Sequence, residues 1–370
     1  MPLRADINAE ILTWLSRASL RKLNATWRAR GFGHADEVIE EVACFFTEGA
    51  FDYEAVLAHL ERRYLDDQFK SCAESYHALY AWLAQVVSQL LYRRQVERRD
   101  GFREGLQYFE GIVPLVRDNR PLWIFSLNHD VLVECIAALF GIESNCGFSS
   151  KTVALPCRNQ AGDIVATLTA ELLTDADMAS GALPFCVPGW PGINLLKLYG
   201  GLDIFALGET RDLIRIKPAD ETFDAIIDAL QIANEGLLDP ALLAGLLPDT
   251  LAVTNKIPYL DENNQPRVLV RTLRASADRL TDPFPQLMQR RRMEYFRGSL
   301  AQVDCLAAIG YSLTDAAVNE IVREWLEGSG RRRLEIVLPG IKEAPAFLVP
   351  FPEQVTLTPA SATTYLERFL

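Results

Sequence analysis

Asn128 and Asp130 stand two residues apart in the stretch Pro121–Gly141, PLWIFSLNHDVLVECIAALFG. Leu122–Phe125 form an apolar run with strand character, and Val131, Leu132, Cys135, Ile136 and Leu139 then recur at helical spacing. The stretch reads as a buried strand feeding a helix. That places an amide and a carboxylate at the carboxyl end of a strand, the edge where open α/β sheets bind ligands. A second reading stands beside it, in which these residues are an Asx motif capping the helix that follows. A related arrangement closes DCLAAIGYSLTDAAVNEIV, where Gly310, Ser312 and Asp315 follow another apolar strand. Glycine there permits close backbone approach, and Ser312 can bond a ribose or phosphate oxygen. The same residues also read as a helix start with Thr314 as the cap.

The elements that would position these groups alternate in type. From Asp6 to about Glu110, INAEILTWL, ADEVIEEVACFF, DYEAVLAHLERRYL and SYHALYAWLAQVVSQLLYRRQVERR all place apolar residues at helical spacing, and Asp52 is a plausible cap for the third. From Leu122 onward short strands and helices alternate. TVALPCRNQAGDIVATLTAELL reads as a hairpin about Asn159–Asp163. It is followed by NLLKLYGGLDIFAL as a strand with a glycine pair, the helix DETFDAIIDALQIANEGLL, and the strand DTLAVTNK before a turn at Asn263–Pro266. The last third supplies the helix PFPQLMQRRRMEYFRGSLAQV, the strand DCLAAIGYS, the helix TDAAVNEIVREWLEG and the strand RLEIVLPG. Alternating apolar strands and helices predict an α/β fold with a parallel sheet covered on both faces.

Bulk properties exclude several classes. The chain has 370 residues, 49% of them hydrophobic, and a formal net charge of −12. It is long enough for a large core, and its acidity argues against direct nucleic-acid binding. The runs Arg290–Arg292 and Arg331–Arg333 read as solvated surface. No apolar segment approaches the roughly 20 residues of a membrane span, and no signal-peptide pattern opens the chain, so a soluble, cytoplasmic protein is expected. The seven cysteines lie singly and the four histidines lack ligand spacing. Neither a zinc site nor a disulfide framework is indicated, and the cysteines read as buried reduced thiols.

Three stretches together resemble the sirtuin-like NAD-binding family, in its bacterial branch without a zinc ribbon. SLNHDVLVE is similar to that family's Thr-Thr-Asn-Tyr-Asp stretch, LLKLYGGLD to its Lys-Leu-His-Gly-Ser-Leu-Asp stretch, and the stretch with IGYSLTD to its Ile-Gly-Tyr-Ser-x-x-Asp stretch. The resemblance implies one doubly wound Rossmann-like domain over residues 1–370, with a helical insertion at 30–115 and the main sheet portion at 116–370. It also implies NAD as substrate or ligand, no zinc, and cleavage of the nicotinamide–ribose bond, as in antiphage NAD hydrolases that work as homo-oligomers beside an ATPase or nuclease subunit. Deacylation is disfavoured, because no cysteine pairs frame a zinc ribbon.

Residue by residue, the resemblance implies that Asn128 and Tyr199 are catalytic and that Ser126, His129, Asp130, Gly310, Ser312 and Asp315 contact the dinucleotide. Nicotinamide leaves as a neutral base, so the reaction needs a positioned nucleophile and a stabilised ribose cation rather than strong acid catalysis. An amide such as Asn128 donates and accepts without adding charge, which suits a ribose hydroxyl or an attacking water. Asp130 would hold the carboxamide. Lys197 could face the anionic ligand, although a surface lysine is the commoner outcome, and Asp203 reads as structural.

Three departures qualify these expectations. Tyr199 stands where the family has its catalytic histidine, and a phenol with a pKa near 10 is a poor base at neutral pH. His129 stands where tyrosine is common. The family's opening strand and glycine-rich loop have no counterpart, since Gly31-Phe32-Gly33 follows a helical segment. The resemblance therefore implies a further strand and loop of roughly 20–40 residues upstream of Met1. The competing expectation is a degenerate fold that binds a nucleotide or scaffolds a partner without turnover.

Overall fold

The computed structural model describes residues 4–31, 33–46, 51–159, 161–181, 183–208, 210, 212–237, 256–272 and 283–370. Seven helices precede the first strand: α1 (Arg4–Trp14), α2 (Arg17–Ala29), α3 (Asp36–Ala43), α4 (Tyr53–Leu65), α5 (Ala73–Val96), α6 (Arg99–Leu106) and α7 (Ile112–Asp118). Their starts follow local chemistry. Ser16 and Ser19 form a reciprocal capping box on α2, and Asp52 accepts the Glu54 N–H at 3.2 Å, as its position predicts. Tyr76, Leu79, Leu83, Val87 and Leu90 of α5 lie along one buried stripe.

Two parallel ladders follow. The first has the order β1 (Leu122–Ser126), β5 (Gly192–Lys197), β2 (Glu143–Asn145), and the second β10 (Cys305–Ile309), β11 (Arg333–Val337), β12 (Val355–Thr358). The α/β class is as predicted, but among the described residues the parallel strands form two three-stranded sheets rather than one continuous doubly wound sheet. β5 is buried along its whole length. Ile193 and Leu195 face the core shared with α1–α5, α8 (Leu132–Leu139) and α10 (Phe223–Glu235). Leu196 and Leu198 face a second core built with α11 (Pro283–Leu300) and α12 (Ala316–Glu327). The period-two alternation of one strand thus joins two cores.

A separate six-stranded antiparallel sheet has the order β3 (Thr152–Arg158), β4 (Ile164–Leu173), β7 (Leu213–Lys217), β6 (Ile204–Leu207), β9 (Pro266–Arg271), β8 (Lys256–Leu260). The β3–β4 hairpin is as predicted: Asn159 Oδ1 accepts the Ala161 and Asp163 N–H groups, and Gly162 has φ +88°. The turn at Asp261–Gln265 is also as predicted, whereas β7 and β9 are new to the structure. The predicted strand Asp249–Lys256 lies outside the described residues except for Lys256, where β8 begins. α9 (Asp175–Ser180) and the closing α13 (Ala362–Leu366) complete the fold.

Only Cys135 and Cys157 are buried thiols; Cys44 and Cys305 are exposed, and the other three are intermediate. Among the described residues no helix is long and apolar enough to cross a membrane.

The connection from β5 to β6 turns on Gly200, at φ +85°. A Cβ there would lie 2.3 Å from Thr272 Oγ1 and 2.5 Å from the Thr272 carbonyl oxygen. Gly200→Ala should lower stability by about 2 kcal/mol or more, combining backbone strain with the clash. Urea denaturation measures it, and a midpoint equal to wild type would show that the turn does not need this close approach.

Candidate functional site

The three stretches singled out in the sequence converge at the carboxyl ends of β1, β5 and β10. Ser126 ends β1, and its hydroxyl accepts the Asn128 N–H at 3.1 Å. The carbonyl of Ser126 accepts from Leu198 N–H at 2.9 Å, and the carbonyl of His129 from Leu202 N–H at 2.8 Å. These bonds dock the loop after β1 onto the loop after β5. The Tyr199 hydroxyl, on a buried side chain, then donates to Asp315 Oδ2 at the start of α12. Asn128 is exposed at the mouth of this junction, and His129 and Asp130 are half-buried.

Asp315 divides its carboxylate between two tasks. Oδ1 accepts from Ala317 and Val318 N–H, each at 3.0 Å, while Oδ2 takes the Tyr199 hydroxyl. Asp315, not Thr314, is therefore the cap of α12, and the Thr314 hydroxyl lies 3.1 Å from that of exposed Ser312. A carboxylate wins this position because it can receive two orphan N–H groups with a full negative charge at the positive helix end. Gly310 has φ +67° and open space where a Cβ would stand. Leu313 is buried with φ +58°, a conformation costly for a branched side chain, and Asn319 Nδ2 holds its carbonyl at 2.8 Å.

At the other end of the site the capping reading holds for Asp130, whose Oδ1 accepts the Leu132 N–H at 3.1 Å. Burial pushes the Asp130 carboxyl up to about 6, against the opposing pull of Lys197.

Lys197 is neither a surface lysine nor turned to solvent. It is 5% exposed, and Nζ lies 2.6 Å from Glu134 Oε1 and 2.9 Å from Asp203 Oδ1. Asp203 Oδ2 meets Arg215 Nε at 3.0 Å, and Arg215 reaches Glu171 at 3.5 Å. Burial alone would lower the Lys197 ammonium, but Asp203 and Glu134 outweigh it and hold the pKa above its ordinary value. Burial likewise opposes ionisation of Asp203, and Lys197 with Arg215 overcome it, so its carboxyl stays below the usual range. Asp203 is structural, as expected. Glu134 and Arg215 escaped the sequence reading, although a carboxylate inside LVECIAAL and a lysine inside INLLKL were signals that each needs a buried partner.

Among the described residues no group of three or more His, Cys, Asp and Glu side chains is arranged to hold a metal ion. No family model matches the chain, and no curated protein matches it either.

Lys197→Met leaves Glu134 and Asp203 buried without their shared cation and should cost about 3–5 kcal/mol in denaturant unfolding. Adding Glu134→Gln should recover a substantial part, because Asp203 keeps Arg215; no recovery would mean that Glu134 is not coupled to Lys197. For Asp130, the raised carboxyl makes the folded state bind a proton more readily than the unfolded state. Ionisation therefore costs stability above pH 6, and that cost disappears below pH 4. The stability advantage of Asp130→Asn should be positive at pH 7 and shrink by up to about 3 kcal/mol towards pH 4. An advantage independent of pH would contradict the raised carboxyl.

Proposed function

We propose that the chain binds NAD across the carboxyl ends of β1, β5 and β10 and cleaves its nicotinamide–ribose bond. The observation that carries this reading is the convergence of three separate stretches through the Tyr199–Asp315 hydrogen bond and the backbone bonds from Ser126 and His129. Such an edge is where α/β sheets accept nucleotides. Asn128 is exposed there, and an amide suits the orienting of a ribose hydroxyl or a water. Open space above Gly310 and the exposed Ser312 hydroxyl suit a ribose. The N–H groups of Ala317 and Val318 are already taken by Asp315, so the pyrophosphate would have to be held elsewhere than at the start of α12.

A second reading, binding without turnover, draws on Tyr199. Its hydroxyl donates to a carboxylate that also caps a helix, an arrangement that fixes the phenol as a positioning group and supplies no base near neutral pH.

Nicotinamide release from NAD by the purified chain, with Asn128→Ala as control, separates the two. Release that falls about 100-fold or more in the variant supports cleavage at this edge. NAD binding by calorimetry without release, together with gain of release in Tyr199→His, supports the second reading. Absence of NAD binding overturns both.

A further inference from the structure

The run Arg290–Arg292 does not behave as one solvated patch. Arg290 is exposed, and Arg291 reaches across to Asp175, bonding its carbonyl at 2.7 Å and its carboxylate. Arg292 is only 7% exposed, with a hydrogen bond from Nη1 to the Lys197 carbonyl at 3.0 Å. Among the described residues no carboxylate lies within ion-pair distance of its guanidinium.

This guanidinium lines a narrow cavity at the end of β5, beyond the three residues where β2 pairs with it. Lys197, Arg215, Arg291, Cys146 and Tyr295 line the same space, and among the described residues no carboxylate does. Glu134, Asp203 and Asp175, which neutralise the other cations, contribute nothing to the lining. Among the described residues the mostly apolar lining thus includes four cationic residues, of which Lys197, Arg215 and Arg291 have carboxylate partners and Arg292 has none. Burial lowers Arg292 to about 10, with Asp203 opposing from a distance, so it remains charged at neutral pH. A buried cation without a counter-ion is costly, and a planar guanidinium is the side chain best shaped to take two oxygens of one anion.

We propose that this cavity binds one small oxyanion, a phosphate or carboxylate group, with Arg292 as its principal ligand. The space is too small for a nucleotide. None of Asn128, Tyr199 or Asp315 lines it, so the site stands independently of the NAD reading.

The test is calorimetric titration and thermal melting of the whole chain with sodium phosphate and, separately, sodium acetate, each against sodium chloride at matched ionic strength to remove general screening. Expected is saturable binding of at least one oxyanion, with a rise in Tm of roughly 2–4 °C that chloride does not reproduce. Arg292→Gln should abolish both effects. Arg292→Lys keeps the charge but loses the planar fork, and should weaken affinity by about tenfold. It serves as the deciding variant if Arg292→Gln does not fold. The anion that binds identifies the group. Response to neither anion, a response matched by chloride, or an affinity unchanged in either variant would overturn the proposal.

Discussion

The burial of one ammonium group at the end of the central strand constrains much of the architecture. Lys197 closes β5, a strand covered on both faces, and its charge cannot reach water. Two carboxylates must come to it, and they come from different directions: Glu134 from α8 and Asp203 from the turn leading into β6. Asp203 carries the pairing onward to Arg215 on β7, which meets Glu171 on β4. One chain of ion pairs thus joins the parallel sheet, a helix packed on it and the antiparallel sheet. Replacing such a network with apolar side chains of equal volume can leave stability unchanged, whereas removing one member leaves its partners buried and uncompensated.

That network explains the geometry at the strand ends. For Asp203 to return to Lys197, the chain must reverse within a few residues, and Gly200 and Gly201 make the reversal. A Cβ on Gly201 would fall 2.6 Å from Asp203 Oδ1 and 3.0 Å from Lys197 Nζ, so the ion pair itself excludes a side chain there. Tyr199 precedes this reversal, with its ring in the core beside α11 and α12 and its hydroxyl on Asp315. The loops of the candidate site are therefore tied to a buried charge rather than to any ligand.

Much of the framework was legible because it follows local rules. Leu122–Phe125 and Cys305–Ile309 read as strands from their apolar runs, although the burial expected of them is not found, since the first is half-buried and the second alternates between exposed and half-buried; the Asp52 cap and Asn159–Gly162 turn follow from side chains bonding their own backbone. The failures have a common cause. Lys197, Glu134 and Arg292 each sit in segments whose neighbours bury them, and a lysine or arginine viewed along the chain carries no mark of which carboxylate will face it. The antiparallel pairing of β7 with β4 joins residues far apart in sequence, such as Thr169 with Lys217, beyond the reach of any short pattern, whereas its pairing with β6 is a local hairpin that the sequence reading missed. Thr314 and Asp315 were both capable caps, and the carboxylate that took the position also accepts from Tyr199, more than a hundred residues earlier in the chain, a contact no local pattern reveals.

The same strand end shows how side chain and main chain divide electrostatic labour. The Lys197 side chain is matched by two carboxylates, whereas its carbonyl receives a full cation, Arg292, and returns only a dipole. A carbonyl lone pair satisfies the geometry of one N–H group without compensating the charge that group carries. Among the buried charged residues around β5, Lys197 and Arg292 are cationic and Glu134 and Asp203 anionic, but both carboxylates pair with Lys197, and Asp203 also with half-buried Arg215. Glu171, partly exposed, is committed to Arg215 and Lys217 and cannot reach across to balance Arg292. The guanidinium without a carboxylate partner among the described residues is thus a local feature of Arg292, even though the chain as a whole carries a net charge of −12. Overall acidity repels anions at long range but is screened within about 10 Å at ordinary salt, whereas a desolvated guanidinium acts at contact, where screening is weak. The protein can therefore be acidic in bulk and anion-selective at one buried point.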